Sequence, residues 1–286
     1  MNKDNDICEA KFIDVEDIIK SKNATLHFLL PGFVIRFFKR FLHEDELNGA
    51  IYRNRDKFGL DFVDEILKEF GVHISSLNLE NLPFEGRFTV ASNHPLGGLD
   101  GMALMKIVGE RRKSIKFIVN DLLLNLENLR ILFLPVNKVG STSRESAILI
   151  DEAYKSDNLI LTFPFGLVSR KNRGKIQDLE WKKNFLTKSR ITKRSIIPVY
   201  INGKNSNHFY FVANLRKLFK IKVNIEMLFL VDEMYRQNNK KIQIIFGRPI
   251  LIEKLDKKYS DSEWAEKIRQ YVYRLKDNPE MEFIYA

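Results

Sequence analysis

Cysteine is all but missing from this 286-residue chain. Cys8 is the single copy, so an intramolecular disulfide and a multi-cysteine metal site are both excluded. Long apolar runs are missing too; none approaches the ~20 residues needed to cross a bilayer. The opening Met1-Asn-Lys-Asp-Asn-Asp lacks the apolar core of a secretory signal. These absences predict a soluble or peripheral protein of a reducing compartment. The P-loop, the dinucleotide fingerprint, the G-x-S-x-G elbow and the H-E-x-x-H helix are also absent. The acidic residues show no metal-ligand spacing, so no metal and no bound cofactor are expected. Acidic residues are in deficit, 37 against 47 lysines and arginines, for a net charge of +10. That balance favours an anionic partner: a lipid surface, a phosphorylated or thioester substrate, or nucleic acid. No nucleic-acid motif accompanies it, so nucleic acid is the least favoured of these.

The chain is rich in apolar residues (44%) and in phenylalanine (22 copies), enough to bury a real core. From residue 88 onward, apolar runs alternate with helical periodicity. Strands are expected at 88–92, 115–119, 131–136, 159–163, 195–201 and 241–246. This pattern predicts an α/β fold with a mainly parallel sheet covered by helices on both faces. Thr142-Ser-Arg-Glu145 reads as a capping box, Asp178 as the cap of a helix over 179–188, and 262–275 as a further helix. Residues 207–235 are ambiguous between strand and helix.

Residues 1–75 read as an N-terminal amphipathic helical extension that binds a membrane surface, and 76–286 as the α/β domain. Within the extension, Phe33, Phe37, Phe38 and Phe41 share a helix with Arg36, Lys39 and Arg40. Aromatic residues for the acyl boundary and cations for lipid phosphates are the pattern of an interfacial helix. A core helix with a solvated basic face would look the same.

One stretch carries chemistry: Ala91-Ser-Asn-His-Pro-Leu-Gly-Gly-Leu-Asp-Gly101. It places one imidazole, His94, and one carboxylate, Asp100, around a glycine turn between an expected strand and an expected helix. Asp100 stands where a helix N-cap is expected. Gly97, Gly98 and Gly101 let the backbone turn tightly. A carboxylate that meets one imidazole nitrogen fixes the tautomer and frees the other nitrogen to take a proton. His27, His43, His73 and His208 have no such partner in sequence and read as structural or surface residues. Ser169-Arg-Lys-Asn-Arg173 is a cationic loop, suited to a substrate carboxylate or phosphate, although such runs are usually solvated turns.

Asn93-His94 with Asp100, then Phe163-Pro-Phe-Gly166, then Ile197-Pro-Val199 resembles the ordered motif set of the lysophospholipid and glycerol-phosphate acyltransferase superfamily. The wording Asn-His-Pro-Leu-Gly-Gly-Leu-Asp-Gly and Phe-Pro-Phe-Gly-Leu-Val-Ser-Arg is similar to the lyso-ornithine-lipid and lyso-glycine-lipid O-acyltransferase branch, often labelled hemolysin-like. The resemblance implies an enzyme at the cytoplasmic side of the cell membrane. It implies His94 as general base on a lyso-lipid hydroxyl, with Asp100 orienting it. It implies acyl-acyl carrier protein or acyl-CoA as donor. Asn93, Gly97, Gly98, Lys138, Phe165, Gly166, Ser169, Arg170 and Arg173 are then the substrate-binding set. Three departures stand out. Five residues separate His94 from Asp100 where the pattern has four. Asn137-Lys138 stands where the second motif carries arginine, and Phe165 where the third carries glutamate. The last two imply an acceptor other than lysophosphatidic acid, with 1-acylglycerol-3-phosphate as the alternative. A non-catalytic basic lipid- or nucleic-acid-binding protein is the alternative of another class.

Overall fold

The structure is a computed structural model that describes residues 12–22, 24–136, 143–220 and 224–285. The chain opens with five helices: α1 (Val15–Lys22), α2 (Ala24–Leu29), α3 (Gly32–Phe41), α4 (Glu44–Arg53) and α5 (Gly59–Glu69). Pro31 stands at the N-cap of α3, where its missing N–H costs nothing. Next come β1 (His73–Leu77), β2 (Phe88–Ser92), α6 (Gly98–Arg111), β3 (Ile115–Asn120), β4 (Phe133–Val136), α7 (Arg144–Lys155) and β5 (Leu159–Thr162). A small hairpin follows, β6 (Arg170–Asn172) and β7 (Lys175–Gln177). The rest is α8 (Asn184–Ile191), β8 (Ser195–Asn202), α9 (Asn207–Leu218), α10 (Leu230–Tyr235), β9 (Lys241–Phe246) and α11 (Asp261–Arg274).

Seven of these strands form one sheet in the order β1-β9-β8-β2-β5-β3-β4. All neighbours are parallel except β8 and β9. Successive side chains on a strand point to opposite faces, and the core divides accordingly. Val90, Ile197 and Ile244 join Phe62, Val63, Ile66 and Leu104 under α5 and α6. Ala91, Ile196 and Ile245 join Phe185, Leu186, Trp264, Ile268 and Val272 under α8 and α11. The α/β fold with helices on both faces is thus as the alternation predicts. Helix α6 is apolar around nearly its whole circumference because it lies between the sheet and α5.

Several boundaries differ from expectation. β1 was not foreseen; its His-Ile-Ser-Ser-Leu is short, polar and at the sheet edge, so it carries no apolar run. It also straddles residue 75, and α4 and α5 share the main core, so the extension is packed into the domain. β4 is shortened by a 3-10 helix over Glu127–Leu132. The cap of α7 is Ser143, whose hydroxyl accepts from Ser146 N at 3.1 Å; Thr142, the expected cap, lies outside the described residues. A reciprocal capping box is formed by Ser260 with Glu263, opening α11. Asp178 caps no helix: its carboxylate turns inward, and α8 starts only at Asn184. Residues 207–218 are helical, and part of the strand read at 220–225 lies outside the described residues.

Candidate active site

β2 is central in the sheet and delivers Asn93 and His94 at its carboxyl end, where parallel sheets leave a crevice. The Asn93 side chain is buried and adds one rung beyond the strand. Its Nδ2 donates to Ile201 O at 2.9 Å, and its Oδ1 accepts from Ile201 N at 2.7 Å. Both bonds anchor the loop. The next carbonyl, His94 O, accepts from Ser169 N at 2.7 Å, which ties the loop after β2 to the loop after β5.

The chain then reverses. Gly97 has φ +86°, a region that L side chains rarely adopt, and an added Cβ would stand 3.2 Å from Leu230. α6 begins at Gly98, so Asp100 is not the N-cap but the third helical residue. From there its carboxylate points back at the loop. Oδ2 accepts from Leu96 N at 2.7 Å, and Oδ1 lies 3.0 Å from His94 Nδ1. Asp100 is fully buried, and the imidazole is 17% exposed. The extra residue between the two is absorbed by the turn, so the longer spacing still closes the pair. A carboxylate facing Nδ1 places the proton of the neutral ring there and leaves Nε2 with its lone pair. Among the described residues, no hydrogen bond occupies Nε2.

Two residues whose contact with the His94 loop was not read from the sequence hold this imidazole. Phe163 lies flat on it, with ring centroids 4.0 Å apart and planes 15° from parallel. Phe163 is itself backed by Phe117, edge-on at 5.1 Å. Asp178, fully buried, supports the loop from below. Its Oδ1 accepts from the Ser169 hydroxyl at 2.6 Å and weakly from His94 N at 3.4 Å; its Oδ2 accepts from Trp181 Nε1 at 2.8 Å. Asp178 N donates to the Tyr273 hydroxyl at 2.6 Å, and Arg269 donates to Asp178 O at 2.9 Å. Burial pushes the Asp178 carboxyl above the ordinary carboxylate value, and burial likewise raises the Tyr273 hydroxyl.

The remaining expected substrate residues separate. Ser169 is buried in the bonds just given. Arg170 is buried against Glu226, Nη2 to Oε1 at 2.6 Å, and Arg216 lies against the other oxygen at 2.8 Å. Its charge is therefore paired inside the protein. Phe165 is buried beside Trp181 and Phe185, on the core side and not on the rim. Arg173 has φ +47° at the tip of the β6–β7 hairpin. Gly166, with φ +70°, is exposed beside the Lys182 ammonium. Gly98 is the exposed first residue of α6. Lys138 lies outside the described residues. Beside the loop is a cleft of about 490 Å³, lined by Asn93, Pro95, Ser169, Tyr200 and Tyr273 and by four cations, Lys175, Lys204, Arg274 and Lys276.

Helix α3 divides its expected lipid-facing residues. Phe33 and Phe37 are 66% and 61% exposed, with Arg36 and Arg40 beside them. Phe38 and Phe41 are half-buried, and Phe41 packs edge-on against Phe229 at 4.9 Å. Lys39 is turned inward among Asp14, Glu16 and Glu44, which corrects its assignment to the outer face. Among the described residues no helix is long and apolar enough to cross a membrane, and no three His, Cys, Asp or Glu gather as for a metal.

A family model described as Acyltransferase matches residues 17–281. The lyso-glycine lipid O-acyltransferase of Bacteroides thetaiotaomicron is 40% identical over 264 residues, 92% of this chain and 97% of that protein. The lyso-glycine lipid O-acyltransferase of Phocaeicola vulgatus is 41% identical over 264 residues, 92% of this chain and 95% of that protein. Among solved structures, a 1-acyl-sn-glycerophosphate acyltransferase from Thermotoga maritima matches with a TM-score of 0.49 and 19% identity, over 91% of this chain and 93% of its own. With the family matched over nearly its whole length, the chain belongs to the acyltransferases, in the branch of the lyso-glycine lipid O-acyltransferases, and is an acyltransferase enzyme.

Proposed function

We propose that this acyltransferase moves a fatty acyl group from acyl-acyl carrier protein or acyl-CoA to the hydroxyl of a lyso-lipid, with a lyso-glycine or lyso-ornithine lipid as acceptor. The observation that carries the mechanism is the buried Asp100–His94 pair with Nε2 left open. The acceptor hydroxyl gives its proton to Nε2 as its oxygen attacks the thioester carbonyl. Asp100 stabilises the imidazolium that forms. Collapse of the tetrahedral intermediate breaks the C–S bond, and the departing thiolate takes the proton back from the imidazolium. Base catalysis of this kind contributes roughly 10²–10⁴-fold, with positioning and oxyanion stabilisation supplying the rest.

The two relatives favour the glycine-lipid acceptor, since both are named for it. The internal pairing of Arg170 removes one cation from those that could hold a glycerol-phosphate acceptor, and weighs against that alternative. The cations lining the cleft suit the phosphates of the thioester donor. No cofactor takes part in these steps. The segment 1–75 is the part proposed to rest on the cytoplasmic face of the membrane, through Phe33 and Phe37 with Arg36 and Arg40.

The test is acyl transfer to a lyso-glycine lipid by the purified protein, with each donor supplied in turn. His94→Ala and Asp100→Asn are expected to lower turnover by about 10³-fold while the circular dichroism spectrum stays unchanged. Full activity in either variant overturns the mechanism, and transfer only to lysophosphatidic acid overturns the acceptor.

A further inference from the structure

Helix α9 carries an apolar row that the fold leaves uncovered. Its Phe209, Tyr210 and Ala213 are buried, Phe209 and Tyr210 against Val168. On another face, Phe211, Leu215, Leu218 and Phe219 are 62%, 39%, 75% and 67% exposed. Their spacing of four, three and one places them on a single outward stripe. The stripe is joined to α3 through rings. Phe37 stacks on Phe41 at 5.8 Å, Phe41 meets Phe229 at 4.9 Å, and Phe229 meets His208, at the head of the stripe, at 5.0 Å.

Charge says what covers such a face. Residues 181–225 hold eleven lysines and arginines and no aspartate or glutamate. The whole chain holds 47 and 37, which leaves 36 and 37 elsewhere, so the entire positive excess lies in this segment. Lys217 and Lys220 are exposed beside the apolar row and make no ion pair among the described residues. Apolar side chains flanked by unmatched cations are complementary to an anionic lipid surface. A second copy of the chain would bring like charges together instead.

We infer that α9 is a second lipid-seated helix, forming one membrane-facing surface with α3. The surface borders the active-site loop. Immediately after the Phe229 joint, Leu230 lies against Gly97, and Met234 lies against Gly98. A lyso-lipid held in the bilayer then meets His94 from the α9–α10 side without leaving its leaflet. The inference rests on the membrane-surface reading of the function. Its test reads vesicle binding alone and needs no turnover.

The experiment is co-sedimentation of the full chain with vesicles of phosphatidylcholine alone or mixed with phosphatidylglycerol. Phe211→Ser/Leu218→Ser/Phe219→Ser is expected to weaken partitioning by about tenfold or more. Phe33→Ser/Phe37→Ser is expected to weaken it comparably. Lys217→Glu/Lys220→Glu keeps the apolar row and is expected to lose binding only to the phosphatidylglycerol vesicles. This charge variant also decides the matter should the triple variant fold poorly. Unchanged partitioning of the α9 variants, with loss in the α3 variant, overturns the role of α9 and spares the rest. Unchanged partitioning of all three overturns the membrane reading with it. A wild-type dimer in sedimentation velocity that the triple variant dissolves makes a second copy the occupant, and likewise overturns the inference.

Discussion

The imidazole of His94 lies parallel to the ring of Phe163, 4.0 Å from it, while Asp100 holds its edge. One contact fixes the plane of the base and the other its rotation. Phe163→Ala removes the plane but not the proton acceptor. Turnover is expected to fall about 10²-fold, the scale of a misplaced catalytic group. KM for the donor is expected to change little. Steady-state kinetics separate the two, and Phe163→Leu, which restores part of the wall, is expected to recover part of the rate.

Asp178 offers a prediction with a pH sign. Asp178→Ala strands the buried Trp181 N–H and the Ser169 hydroxyl, at a cost of about 1–3 kcal/mol for each donor left without a partner. Burial raises the carboxyl above 3.8, so the native state binds this proton more tightly than the unfolded chain. The contribution of Asp178 is therefore largest in acid and is lost as pH rises through its folded pKa. Alanine does not titrate. The stability gap between wild type and variant is expected to narrow as pH rises through and above the carboxylate range, as followed by denaturant unfolding at stepped pH.

Glu226 stands between two guanidinium groups, Arg170 at 2.6 Å and Arg216 at 2.8 Å. Glu226→Gln takes the buried counter-charge from Arg170 and weakens the pairing of Arg216. Such a break costs about 3–5 kcal/mol. Arg170→Met/Glu226→Gln removes the stranded Arg170 cation and is expected to be less destabilised than Glu226→Gln alone. A double-mutant cycle by urea unfolding measures the difference.

What was legible in the sequence was local. His94 and Asp100 are six positions apart with glycines between, so one turn brings them together. The parallel sheet was legible because buried strands are near-continuous apolar runs. What was not legible depends on distant partners. Asp178 lies 84 positions from His94, and an aspartate ahead of a helical pattern reads as a cap. The pairing of Arg170 with Glu226 spans 56 positions, and until it is seen the arginine looks like a free cation. Phe163 was legible as part of a motif, but its stacking on an imidazole 69 positions earlier depends on the fold. β1 has too few apolar residues to announce itself. The row on α9 sits in a stretch whose periodicity mixed both patterns, so its outward face emerged only with the burial of Phe209 and Tyr210.

The rung between Asn93 and Ile201 has a kinetic meaning. It joins residues 108 positions apart, and β2 itself is flanked by β5 and β8, both synthesised long after it. Contacts of such long range are made late, because the loop must close before they return any stabilisation. On a growing chain, His94 therefore emerges early but waits unoriented until residue 201 has docked. A chain ending before β8 lacks this rung and the strand that carries it, so its His94 loop is expected to stay unanchored.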